Sequence, residues 1–190
     1  GTKNPAAALS VVRNLASALS SEQVAALTKL CSSLEVDKSP PARELRQAAL
    51  VALGHGDETA LAYLHEVFES NPDCRQDVAH AVANFAPSKS RRDADWQLLV
   101  RSLAVVEGSA ARDVLQALSK IPQKDDKPQD LRQVILLGLK LGDQGGREAA
   151  RLLAHWTGER VADPRGPWQA SLAAWQKWFV EKYPDQPEPV

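Results

Sequence analysis

Apolar residues recur at spacings of three and four along almost the whole chain, and no stretch alternates apolar with polar in the β-branched manner of a strand. That period is helical. Its punctuation is legible: Asn4-Pro5, Ser39-Pro40 and Asn71-Pro72 each set a capping side chain before a proline suited to the first helical position. Gly54, Gly108 and Gly142 each follow an apolar run, where a left-handed C-terminal cap needs a residue without Cβ. Between these marks the pattern predicts helices over 5–19, 22–35, 41–53, 58–69, 72–85, 93–106, 110–120, 129–141, 146–156 and 168–182. The fold class is therefore all-α, with about ten helices whose short connections imply antiparallel neighbours, in a closed bundle or in stacked hairpins.

Internal repetition decides between the two. "LRQAALVAL" (Leu45 to Leu53), "CRQDVAHAV" (Cys74 to Val82), "ARDVLQALS" (Ala111 to Ser119) and "GREAARLLA" (Gly146 to Ala154) superpose on Arg46, Arg75, Arg112 and Arg147. In each, Ala, Val or Leu stands three residues after the Arg, and another apolar residue follows at six or seven, which draws a stripe on one helical face with the Arg at its edge. The Arg-to-Arg intervals of 29, 37 and 35 residues fit a helix, a turn, a second helix and a connection. Such a period indicates a solenoid of helical hairpins.

Over about Pro40 to Trp156 the chain resembles the HEAT repeat family, whose first helices often carry an Arg followed by small and apolar residues at this spacing. The resemblance implies an α-solenoid of the HEAT/armadillo kind, whose second helices (58–69, 93–106 and 129–141) line a concave binding face. On those helices Tyr63, Glu66, Arg101 and Arg132 fall off the apolar stripes, so they are the candidate partner-binding residues. Arg46, Arg75, Arg112 and Arg147 are expected to be structural, covering apolar surface with their stems. The closing segment, "LLAHWTG" followed by "WQASLAAWQKWFVEKYPDQP", resembles the end of HEAT-like domains that precede c-type cytochrome domains in large modular bacterial proteins. This second resemblance implies a spacer or docking module beside a redox domain, in an extracytoplasmic protein. The CxxCH that attaches haem is absent from these 190 residues, so no haem ligand is assigned.

Charge narrows the partners. Lys plus Arg total 23 against 24 Asp plus Glu, and this balance supplies no overall field for nucleic acid or anionic lipid. The basic cluster Lys89, Arg91 and Arg92 keeps a DNA-binding or DNA-glycosylase-like protein as an alternative, and a purely structural spacer is another. The inferred concave helices, however, mix Arg101, Arg132 and Lys140 with Glu58, Glu66 and Glu69, which fits a protein partner or neighbouring domain better than a phosphate track. No apolar run reaches the roughly 18 residues that span a membrane, and a monomer is expected.

Candidate chemistry is sparse. Cys31 and Cys74 lack the spacing of a metal or redox pair and read as small buried thiols. No nucleophile or zinc-protease motif is present, "GDQGGRE" reads as an interhelical turn, and "IPQKDDKPQD" reads as a linker without the spaced ligand series of a calcium loop. The expectation is a non-enzyme with no cofactor and no metal. Trp168, Leu172, Trp175 and Phe179 step by four, three and four, the pattern of a terminal helix that closes an open core, with Trp156 anchored nearby. The predicted layout is one repeat domain over 1–183, capped by helix 168–182. The Pro-rich residues 184–190 are expected to leave the domain at Pro184.

Overall fold

A computed structural model describes residues 5–15, 18–85, 93–163 and 165–190. These hold ten α-helices: α1 Pro5–Arg13, α2 Ser21–Leu34, α3 Pro40–Leu53, α4 Glu58–Ser70, α5 Arg75–Asn84, α6 Asp93–Ser102, α7 Gly108–Lys120, α8 Pro128–Leu141, α9 Gly146–Thr157 and α10 Trp168–Lys182. No strand occurs among the described residues, so the all-α class holds. Contacts divide the chain into two compact units, Gly1–Ser90 and Arg91–Val190.

In the first unit, α1 packs on α3 and α3 on α5, while α2 packs on α3 and α4, and α4 on α5. Odd and even helices thus form two layers about Leu45, Leu50, Leu53, Leu64, Phe68 and Val78. Helix starts follow local chemistry, though partly through residues other than those expected. Ser20 forms a reciprocal capping box with Gln23, and the Asp57 carboxylate accepts from the backbone of Thr59 and Ala60. Ser39 stands at the start of α3 without a side-chain cap bond, and Asn71 precedes a 3-10 turn (Pro72–Cys74) before α5 begins. Asn4 lies outside the described residues. The first helix stops at Arg13, short of 19, and Leu19 donates its backbone N–H to the His55 carbonyl, 2.9 Å away.

Gly54 corrects the cap assignment. Its φ of −61° is right-handed, and the need for glycine is steric: a Cβ there would lie 2.6 Å from the Ala81 carbonyl oxygen, where α5 crosses the end of α3. Gly142, with φ +56°, does take the positive φ expected of it.

In the second unit, α7 packs on α9, α8 on α9, and α10 on both α8 and α9. The predicted helix 93–106 ends at Ser102, yet Leu103 and Val106 in the following turn stay buried, so apolar spacing alone overstates the helix. Gly108 opens α7 and does not close α6. Leu172, Trp175 and Phe179 of α10 are fully buried, as the stripe predicts, together with Trp156 of α9. Close approach makes this packing: a Cβ on Gly138 of α8 would fall 2.5 Å from the Ala149 Cβ of α9 and 3.1 Å from Leu172. Trp168 remains half-exposed at the helix start, where its indole Nε1 donates to Asp143 Oδ1 at 2.6 Å.

Candidate functional site

The repeated arginines occupy different faces. Counted from the Arg, buried positions fall at three, four, six and seven in α3 and α5, at two, three, five and six in α7, and at two, five and six in α9. A step of one residue rotates a helix position by about 100°. Arg46 and Arg75 are accordingly half-buried at the stripe edge, whereas Arg112 and Arg147 point outward and are exposed. Arg75 donates from Nε to the Phe68 carbonyl at 3.0 Å and lays its guanidinium 5.4 Å from the Phe68 ring centroid, joining α5 to α4. Arg112 has an ion pair only with its neighbour Asp113, at 3.8 Å among the described residues. Arg112 and Arg147, expected to cover apolar surface with their stems, are thus set outward by the register of their helices.

In the first unit Arg46, Cys31, Cys74, Tyr63 and Glu66 line one cavity of about 100 Å³. Residues far apart in sequence meet there because α2, α3 and α4 share a layer boundary. Arg46 Nη1 is buried without a hydrogen-bond partner. Burial, reinforced by Cys74, pushes the Cys31 thiol up to about 12, and burial also raises Cys74. In both, burial disfavours the charged thiolate, the form that acts as nucleophile. Tyr63 was expected to face solvent, but it is half-buried; its hydroxyl lies 3.5 Å from Ser32 Oγ, and burial raises its pKa. Glu66 is exposed at the cavity rim. Asp77, held by Gln47 at 2.8 Å, is also raised by burial.

In the second unit Arg101 is exposed on α6. Arg132 of α8 is engaged within the chain: Nε donates to the Pro187 carbonyl at 2.8 Å and Nη2 to the Glu188 carbonyl at 3.1 Å. A groove of about 610 Å³ beside α9 and the connection to α10 is lined by Arg147, Arg151, Arg160, Glu159, Asp163 and Trp175. His155 in its wall has Nε2 2.7 Å from the Ile121 carbonyl, which fixes the proton on Nε2. This groove offers guanidinium donors to a carboxylate or other anion.

The segment Ile121 to Asp130 is more than a linker. Asp125 is 3% exposed; its Oδ1 accepts from the Lys127 backbone at 2.9 Å, and its Oδ2 is buried without a partner. Burial, and then the neighbouring Asp125, push Asp130 up to about 6. No group of three or more His, Cys, Asp or Glu placed to hold a metal ion occurs among the described residues. The predicted basic cluster Lys89, Arg91 and Arg92 lies outside the described residues. No described helix is long and apolar enough to cross a membrane.

Gln176 and Tyr183 were not singled out by the sequence, and Asp125 was weighed only in a loop without the ligand series of a calcium site, since no motif distinguishes a buried loop carboxylate from a solvated one. A search of family models, of curated proteins and of solved structures finds no match to this chain.

Proposed function

We propose that the chain is a non-catalytic helical repeat scaffold, an α-solenoid of the HEAT/armadillo kind, that binds a protein partner or a neighbouring domain. One observation carries the reading. Within each unit, hydrogen bonds join residues about one hairpin apart: Ser32 with Tyr63 and Arg13 with Glu44 at a separation of 31, Gln47 with Asp77 and Gln133 with Leu103 at 30, Lys140 with Glu107 at 33, and His155 with Ile121 at 34. Such regular offsets are what stacked repeats produce, because each hairpin touches chiefly its neighbours. The resemblance of the closing segment supports a position beside a c-type cytochrome domain, in an extracytoplasmic protein.

Glu66 and Arg101 are the exposed positions through which the scaffold meets its partner. Photo-reactive residues placed singly at 66, on the first unit, and at 101, on the second, are each expected to cross-link to a partner, while one at the exposed position 112 is not. Glu66→Lys with Arg101→Glu should weaken that partner about tenfold, near 1.4 kcal/mol, with an unchanged melting temperature. Equal cross-linking from all three positions, or from none, sinks the reading.

A further inference from the structure

The Pro-rich end does not leave the domain at Pro184 as the sequence suggested. After α10 the Tyr183 N–H donates to the Phe179 carbonyl, and a turn closed by the Gln186 N–H on the Tyr183 carbonyl, at 3.0 Å, sends the chain back along the helices. Three successive carbonyls are then gripped. Arg132 of α8 takes those of Pro187 and Glu188, and Gln176 Nε2 of α10 takes that of Pro189 at 2.7 Å. Pro189 itself is buried, while Pro187, Glu188 and Val190 are exposed. The Tyr183 hydroxyl, 3.4 Å from the Asp126 carbonyl, ties the start of the segment to the loop before α8.

This is recognition of a proline-rich backbone. Proline has no N–H, so its carbonyl is the only main-chain polar group a receptor can hold. Gln186 and Glu188 each precede a proline and are biased to extended conformations, which lowers the entropy lost on docking. The guanidinium, a planar fork of donors, spans two consecutive carbonyls, and the buried ring of Pro189 supplies the apolar contact. The side chain of Glu188 takes no part in these bonds, so the grip reads prolines and carbonyls and tolerates the residue between them.

We propose that the groove between α8 and α10 is a receptor for Pro-x-Pro segments, filled in cis by residues 184–190 and open in trans to the proline-rich segment of a partner that displaces them. The proposal deepens the scaffold reading by naming the partner chemistry at Arg132, and its test does not involve positions 66 or 101, so the two fail separately.

Two measurements on the intact chain decide it. Backbone ¹⁵N relaxation should show Glu188 and Val190 as rigid as α8, and Arg132→Ala should release them; mobility in the wild-type chain overturns the proposal. In the second, a fluorescein-labelled peptide of the sequence Tyr183 to Val190 is titrated by polarisation. The wild-type chain should bind it weakly, because the tethered segment competes at an effective concentration of about a millimolar. Pro187→Gly with Pro189→Gly loosens the strap and should tighten peptide binding about tenfold or more. Adding Arg132→Ala should abolish that gain, and adding Gln176→Ala, which serves if Arg132→Ala unfolds, should reduce it. Equal binding by the wild-type and loosened chains overturns the proposal, as does a gain that survives loss of both Arg132 and Gln176.

Discussion

In the first unit Arg46 and Arg75 lie half-buried at the edge of the apolar stripe, and in the second Arg112 and Arg147 stand exposed, although all four open the same short motif. The difference is one residue of register. In α3 and α5 the buried set begins three residues after the Arg; in α7 and α9 it begins two after. The motif letter is thus retained while its face is lost, and the positions of α7 and α9 that correspond to Arg46 are the buried Ala111 and Gly146. The units also close their cores differently, the first with aliphatic residues, two thiols and Phe68, the second with the α10 aromatics and Trp156.

The sharpest break of that comparison is Trp175→Ala, expected to destabilise by about 3 to 5 kcal/mol through the cavity it leaves beneath α10. Chemical denaturation should show the loss, and no equally large effect is available from the first unit's polar Arg46 cavity. Next comes Gly138→Ala. Its Cβ would meet that of Ala149 at 2.5 Å, and prising α8 from α9 should destabilise by about 1 to 3 kcal/mol in the same assay. Gly54→Ala is the first unit's counterpart, opposed by a backbone oxygen at 2.6 Å, and should be no milder.

Arg75→Ala removes the bond to the Phe68 carbonyl and the contact with its ring, and should lower stability by about 1 to 2 kcal/mol. Acidity then separates the units further. Asp130 is raised to about 6 in the folded chain, above the 3.8 of an ordinary aspartate, so between these values the folded state holds more protons than the unfolded one. Stability should therefore fall as pH rises from about 4 to about 6, by roughly 1 kcal/mol once solvent screening of a partly exposed carboxyl is allowed for. Asp125→Asn should flatten that part of the stability–pH curve. The smallest effect is Arg112→Ala, expected within about 0.5 kcal/mol of wild type, as for other exposed positions. A loss comparable with that of Arg75→Ala would show that the register argument is wrong.

Helix existence and order were legible because the period of apolar residues is set by the same burial that builds the layers. The boundaries of α10 and the aromatic stripe from Leu172 to Phe179 follow directly from the sequence. What could not be read depended on partners distant in sequence. Gly54 meets the Ala81 carbonyl, Arg132 meets the carbonyls of residues 187 and 188, and Cys31 shares a cavity with Cys74. The strap was hidden for a further reason: prolines and charged residues form the same local pattern whether the segment is solvated or held by its carbonyls. Of the four proposed partner-binding residues, Glu66 and Arg101 are exposed, Tyr63 is half-buried, and Arg132 holds the strap.

All five tryptophans, at positions 96, 156, 168, 175 and 178, belong to the second unit. Indole emission is therefore silent about the first unit, while far-ultraviolet circular dichroism sees the helices of both. Trp156 and Trp175 are buried and should emit toward the blue, and the half-exposed Trp96, Trp168 and Trp178 toward the red. Coincident melting curves from the two signals would mean that the units unfold as one cooperative body. Separated curves would resolve the stability of each half without a label.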